Sequence, residues 1–367
     1  MATRASFILA QQTPGLLREL LRVGRGLRRR KTVLPWKLEF FTTYSCGSRC
    51  KTCLIWTRYE REPEKQANEL SAEDFGRVAG SVGKHLRWLS FTGGEITDRD
   101  DAEELVRNVA DASPNARVLS TSSHGLDPVK VENLFGAIAK AYPKRAIMVT
   151  LSLDGLGDTY THIRGVDGHL QVEESMERLQ KLAKTYPNLA PSFQATLSPA
   201  NFDQVSELLA RMNKLASGNV VTIANDSLVL TEGRIKNIDA RSDDRLKDVL
   251  KTVEKSLPRD GLSNLFARTY LRLSAKSLPS PDAPIPCTAG FSSLTISPYG
   301  EILQCDRHDQ PLAVLQAPDF DIPTAIQSAE FKSKLEPWIG CTECFTPCQA
   351  YPSMMQAPFR SFWRSLG

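Results

Sequence analysis

From Trp36 onward the chain alternates strand-like and helix-like segments six times, and this order restricts the fold more than any other feature. Short apolar and β-branched runs at 38–43, 86–91, 117–121, 147–153, 192–197 and 220–224 read as strands. Amphipathic segments near 71–84, 100–112, 128–142, 170–186 and 202–215 separate them. Ser71 is expected to cap the first of these, with Asp74 at N3, and Pro128 falls in the first turn of the third. Strands joined in series through helices pair as a parallel sheet. The reading is therefore α/β, a partial (β/α)6 TIM-like barrel over 36–240, because no seventh and eighth strand appears before the composition changes.

The flanks differ in character. Residues 239–277 read as helical, and 278–286 (Leu-Pro-Ser-Pro-Asp-Ala-Pro-Ile-Pro) as a proline-rich boundary, so 241–284 is taken as a helical linker. A small C-terminal domain then covers 285–350, with a hairpin of 294–297 and 301–304 about Pro298-Tyr299-Gly300, and 351–367 is a short aromatic and basic tail. At the other end, 1–35 is a basic amphipathic segment. Leu16, Leu17, Leu20, Leu21, Val23 and Leu27 recur at helical spacing, with Arg18, Arg22, Arg25 and Arg29 on the other face. Such a helix over 13–31 suits an anionic membrane surface, an acidic partner, or simple packing on the main domain. Gly24 and Gly26 weaken it. The net charge of +4 does not call for nucleic acid, no apolar run is long enough to span a bilayer, and the patch at 7–10 is too short for a secretory signal; a cytoplasmic protein is expected.

The eight cysteines fall in two groups: Cys46, Cys50 and Cys53 just after the first strand, and Cys287, Cys305, Cys341, Cys344 and Cys348 late in the chain. Clustered C-x2-C spacings in a cytosolic chain read as metal binding rather than as disulfides. The first group, C-x3-C-x2-C, offers three thiolates to a centre that takes four ligands, which leaves one metal position open for substrate or cofactor.

Cys46-x3-Cys50-x2-Cys53 after a first strand resembles the signature of radical S-adenosylmethionine (SAM) enzymes. Thr92-Gly93-Gly94-Glu95 resembles that family's GGE motif, Ser152-Leu-Asp-Gly155 its SxDG segment, and Arg164 an arginine that follows it. The resemblance covers residues 36 to about 224. It implies a [4Fe–4S] cluster on the three cysteines, SAM chelated to the open iron, and contacts to SAM from Gly93, Gly94, Glu95, Ser152 and Arg164. It implies a 5′-deoxyadenosyl radical as the reactive species and a one-electron reductant such as a flavodoxin or ferredoxin. Two positions depart from the family pattern: Thr52 stands where an aromatic residue is usual, and Ser123-His124-Gly125 replaces a Thr-Asn-Gly-like turn. His124 is a candidate contact to SAM or substrate, or else a solvent-exposed turn residue.

The late cysteines resemble the auxiliary-cluster regions called SPASM and twitch. Five of them, where a full SPASM region has seven, imply one auxiliary [4Fe–4S] cluster, with Cys287, Cys305, Cys341 and Cys344 as first-choice ligands and Cys348 as spare. A four-thiolate zinc site is the rival. In anaerobic sulfatase-maturating enzymes an aspartate matching Asp306 acts as a base; the alternatives are ordering of the Cys305 loop or pairing with Arg307. Together these imply hydrogen abstraction from an unactivated carbon and an oxidative modification, dehydrogenation or cross-linking, of a small molecule or peptide. A lipid-modifying enzyme at the membrane surface and a non-catalytic iron–sulfur or zinc protein are the other readings.

Overall fold

The structure, a computed structural model, describes residues 13–224, 227–233, 240–258, 262–278 and 282–366. The apolar patch at 7–10 and Asp239, where the helical stretch was expected to begin, lie outside them. Among the described residues, nine strands form one sheet in the order β6-β5-β4-β3-β2-β1-β7-β8-β9. β1 (Lys37–Thr43), β2 (Trp88–Gly93), β3 (Val118–Ser123), β4 (Ala146–Ser152), β5 (Leu189–Leu197) and β6 (Val220–Ile223) are parallel, each paired with its neighbour in sequence. β6 and β9 do not meet, so the α/β sheet stays open as a partial barrel.

Apart from short helical turns such as Arg58–Arg61, the helices are α1 (Thr13–Arg28), α2 (Ala72–Gly80), α3 (Ala102–Asp111), α4 (Pro128–Ala141), α5 (Asp158–Arg164), α6 (His169–Thr185) and α7 (Val205–Leu215). After the barrel follow α8 (Leu246–Ser256), α9 (Leu262–Ser277), α10 (Ile322–Gln327), α11 (Ala329–Leu335), α12 (Pro347–Gln356) and α13 (Pro358–Leu366). Ser71 does cap α2: its hydroxyl accepts from the Asp74 N–H at 3.2 Å and donates to the Asp74 carboxylate at 2.7 Å. The expected hairpin, β7 (Ser293–Ile296) and β8 (Glu301–Leu303), does not stand apart. β7 pairs in parallel with β1, Lys37 facing Ser293, and β9 (Ala313–Val314) closes that edge. α12 runs through the expected boundary at 350/351.

Side-chain alternation separates two faces of the barrel. Outside, Phe40 packs on Phe75 and Phe91 with ring centroids 5.8 and 5.9 Å apart. Inside, Ser90, Ser120, Thr150, Ser152, Gln194 and Thr222 are half-buried although their strands are central. Polar residues that keep solvent contact there mean an open lumen rather than a side-chain-filled barrel. β1 is buried along its whole length and puts Lys37 and Glu39 on the same face, 3.4 Å apart.

α1 corrects the expected faces. Leu16, Leu20, Val23 and Leu27 pack on the core, but Leu17 and Leu21 point outward. Between the buried leucines lies Glu19, 1% exposed, within ion-pair distance of Arg22, His85 and Arg87. The angular step of an α-helix puts Leu17 and Leu21 one position round from the buried stripe, which a count of leucines does not reveal.

Candidate active site

The cysteine loop begins where β1 ends and is tied to the ends of two other elements, β2 and α5. Gly94 donates to the Thr43 carbonyl at 2.7 Å, and Glu95 to the Ser45 carbonyl at 2.8 Å, so the end of β2 closes onto the loop entrance. Gly93 has φ +110°, and a Cβ on Gly94 would lie 1.8 Å from the Ser45 carbonyl oxygen. Only glycine allows that approach. Gly94→Ala is therefore expected to displace the loop, lowering iron content after reconstitution severalfold; unchanged iron would show the contact to be dispensable.

From the other side α5, which the sequence reading did not anticipate, presents its last turn to the loop. Arg49 and Lys51 donate their N–H groups to the carbonyls of Arg164 and Ile163 at 2.9 and 2.8 Å. Gly165 ends α5 in the left-handed conformation, φ +69°. The Arg164 guanidinium is paired with Asp154 at 3.1 Å, and Asp154 also accepts from the Thr196 N–H at 2.7 Å. Asp154, 1% exposed, thus orients the arginine, a role that the SxDG string carried without naming it. Ser152 faces the lumen at the end of β4, opposite Gln194. Beside the third cysteine, the Trp56 indole N–H donates to the Cys53 carbonyl at 3.0 Å, and the Arg49 guanidinium lies 5.0 Å over its ring.

Glu95 is 1% exposed and fully engaged. Its carboxylate accepts from the Thr97 N–H (3.1 Å) and O–H (2.8 Å), the Ser123 O–H (2.8 Å) and the His124 N–H (2.6 Å). It thereby joins the GGE turn to the Ser-His-Gly turn at the end of β3. His124 is buried, which removes the reading of an exposed turn residue. Its Nδ1 accepts from the Leu126 N–H at 3.1 Å and lies 3.4 Å from Glu95. Nδ1 as acceptor leaves Nε2 as the protonated nitrogen of the neutral ring, and Nε2 would be 3.4 Å from a Cβ on Gly47 in the cysteine loop.

The three thiols share one environment. Burial raises Cys46 first, then the charges of Glu95, Cys50 and Cys53. Burial also raises Cys50, opposed by Arg164, and pushes Cys53 up to about 12, with Cys50 adding to it. Three such thiols ionise together only against a cationic centre.

The late cysteines converge from three segments. The Cys287 N–H donates to the Cys341 carbonyl at 2.9 Å. The Cys287 thiol, pushed up to about 12 by burial, feels Cys344 and Cys341; Cys305 feels Cys287 and Cys344. Cys348 stands apart. It is exposed, and burial of its thiol and then the charges of Glu39 and Asp306 raise it. Its carbonyl accepts from Lys37 Nζ at 3.0 Å. Asp306 has the same neighbours and is pushed up to about 6 by burial and by Glu39, opposed by Lys37. Arg307 pairs with Glu343 instead, at 3.3 Å. Lys37 and Glu39 are therefore neighbours of the site that the strand reading passed over; two charges in a buried strand were the available signal. Nearby, His308, Cys341 and Glu343 bring ligand atoms within 4.8 Å of one another, the only such group among the described residues.

Residues 40–212 match the family model described as the Radical SAM superfamily, so this part of the chain is a radical SAM domain and the protein is an enzyme. Among solved structures, the chain is similar to native anSMEcpe with bound AdoMet and Cp18Cys peptide: TM-score 0.58, 16% identity, covering 90% of this chain and 99% of that one. The same protein with Kp18Cys peptide gives TM-score 0.58 at 15% identity, with the same coverage. Methylornithine synthase (PylB) aligns at TM-score 0.45 and 16% identity, over 95% and 91% of the two chains. No curated protein sequence matches.

The family implies a [4Fe–4S] cluster and SAM. The donor set fits. A single tetrahedral ion holds its sulfurs roughly 3.8 Å apart, and among the described residues neither cysteine group forms a set within 4.8 Å. In the Cys46–Cys53 loop, sulfurs spread wider than that suit the multi-iron cluster the family implies.

Proposed function

We propose that the protein is a radical SAM oxidoreductase in which Cys46, Cys50 and Cys53 hold the SAM-binding cluster. Cys287, Cys305, Cys341 and Cys344 hold one auxiliary cluster. The cofactors, when bound, supply one-electron cleavage of the SAM sulfonium to a 5′-deoxyadenosyl radical. The chain's own residues orient and enclose. Gly93 and Gly94 bring backbone against the loop, Glu95 fixes the two turns beside it, and the paired Arg164 adds positive charge next to Cys50. Ser152 and the polar lumen receive SAM and a substrate carrying an unactivated C–H bond. Asp306, within electrostatic reach of Glu39, Lys37 and Cys348, takes the proton released as the substrate is oxidised.

The observation that carries this reading is the closure of the Gly94, Glu95 and Arg164 backbone onto one loop of three buried thiols. The polar lumen suits a small polar molecule, a peptide side chain or a lipid headgroup. anSMEcpe was solved with a peptide, which keeps peptide oxidation within this reading. One observation favours a second reading of the late group alone: His308, Cys341 and Glu343 are spaced for a single divalent ion such as zinc. Anaerobic reconstitution with reductant and SAM is expected to yield 5′-deoxyadenosine and methionine, and the protein to bind iron and sulfide at both groups. Absence of 5′-deoxyadenosine would reject the function; zinc at the late group would reject the auxiliary cluster.

A further inference from the structure

α12 packs against α1. The Gln356 side chain, at the end of α12, reaches the backbone of α1 at the Leu20 carbonyl (2.5 Å), and a Cβ on Gly24 would lie 2.9 Å from its Nε2. α13 starts two residues later and packs on α9.

α13 is turned opposite to an ordinary surface helix. It buries Ser361 and Ser365, 1% and 3% exposed, and presents Phe359, Trp363 and Leu366 to solvent at 81%, 69% and 52%. The buried serines are satisfied within the helix, Ser361 donating to the Ala357 carbonyl and Ser365 to the Phe362 carbonyl. The apolar residues recur at i, i+4 and i+7 and so form one continuous stripe. On α1, Leu17 and Leu21 are also exposed, at 52% and 56%. These five are half of the large exposed hydrophobic residues of the described chain. Burial of serine with display of tryptophan and phenylalanine is not what folding of the monomer alone selects.

The charge around these residues has one sign. Residues 13–31 carry seven arginines and lysines and one acidic residue, Glu19. Glu19 is buried among Arg22, His85 and Arg87 and adds no outward negative charge. Arg18, Arg25 and Arg28 are exposed beside the leucines, and Arg360 and Arg364 flank the aromatic stripe. A surface so uniformly positive repels a second copy of itself, whereas aromatic and aliphatic side chains bordered by arginines match the headgroup boundary of an anionic bilayer.

We propose that α1 and α13 together form a docking surface for anionic membrane, with Phe359, Trp363 and Leu366 entering the headgroup layer and the arginines on lipid phosphates. None of the described helices is long and apolar enough to cross a membrane, so the contact is peripheral. This rests on the two helices and not on the proposed chemistry.

The test is flotation of the full-length, reconstituted protein with phosphatidylcholine vesicles, with and without phosphatidylglycerol. Binding is expected with the anionic vesicles, weakened by salt. Phe359→Ser with Trp363→Ser is expected to weaken it at least about tenfold, and Arg18→Glu with Arg25→Glu by a similar factor. These side chains make no core contact, so the melting temperature should hold and SAM cleavage in solution should continue. Two results would overturn the proposal: no flotation with anionic vesicles, or a dimer in sedimentation that Phe359→Ser with Trp363→Ser converts to monomer, which would show that a second copy covers the face.

Discussion

Replacing Cys46, Cys50 and Cys53 together by alanine is expected to abolish SAM cleavage while leaving the late metal centre in place. Iron after reconstitution should fall from about eight to about four per chain. The loop is held by hydrogen bonds of its backbone, from Gly94, Glu95, Arg49 and Lys51, and not by its thiols. The late group is built on other segments, around Cys287 and the Cys341 carbonyl. Loss of the first cluster therefore need not unfold the second. Iron analysis with 5′-deoxyadenosine quantification reads both effects. Iron falling to zero would show that the two centres assemble as one, and unchanged SAM cleavage would remove the loop from the chemistry.

Glu95→Ala is expected to have the next largest effect. Four donors converge on this carboxylate, two of them main-chain N–H groups. Leaving buried donors unpaired costs about 1–3 kcal/mol each before relaxation. Thermal denaturation should show a midpoint lower by several degrees. The specific consequence is at the site, because the Ser123–Gly125 turn and Thr97 lose the group that registers them against the cysteine loop. SAM turnover should fall on the order of 10²-fold, since misplacement of about 1 Å has that effect. Glu95→Gln should lie between the two, because an amide keeps one acceptor but turns a donor toward donors. A variant with the lower midpoint and full turnover would show that Glu95 is structural only.

Most of the barrel was legible because it is written locally. Each strand of the barrel has an apolar alternation and each following helix an amphipathic stripe, and the parallel order follows from their succession. The position of the candidate residues was legible for a related reason: Cys46, Gly93, Ser152 and their neighbours fall at strand ends, where short motifs keep their spacing. What was not legible depends on register across long separations. The pairing of β7 with β1 brings Ser293 opposite Lys37, which no local pattern states. It also places Cys348 and Asp306 beside Glu39. Glu39 read simply as a strand residue, and Lys37 as the residue before the strand, until that pairing supplied their partners. α5 was missed because its seven residues, Asp158–Arg164, are too few to show a period, although the helix gives Arg164 its place. Leu17 and Leu21 were assigned to the wrong face for want of a partner that fixes the helix rotation.

The central claim is that the Cys46–Cys50–Cys53 centre keeps one iron open for SAM. It is tested most directly by electron paramagnetic resonance of the reduced protein before and after SAM is added, with the late cysteines replaced so that only this centre contributes. The account predicts a reduced [4Fe–4S] signal whose g-values shift on SAM addition, followed by 5′-deoxyadenosine in the same sample. A signal that SAM leaves unchanged, with no 5′-deoxyadenosine formed, would contradict it.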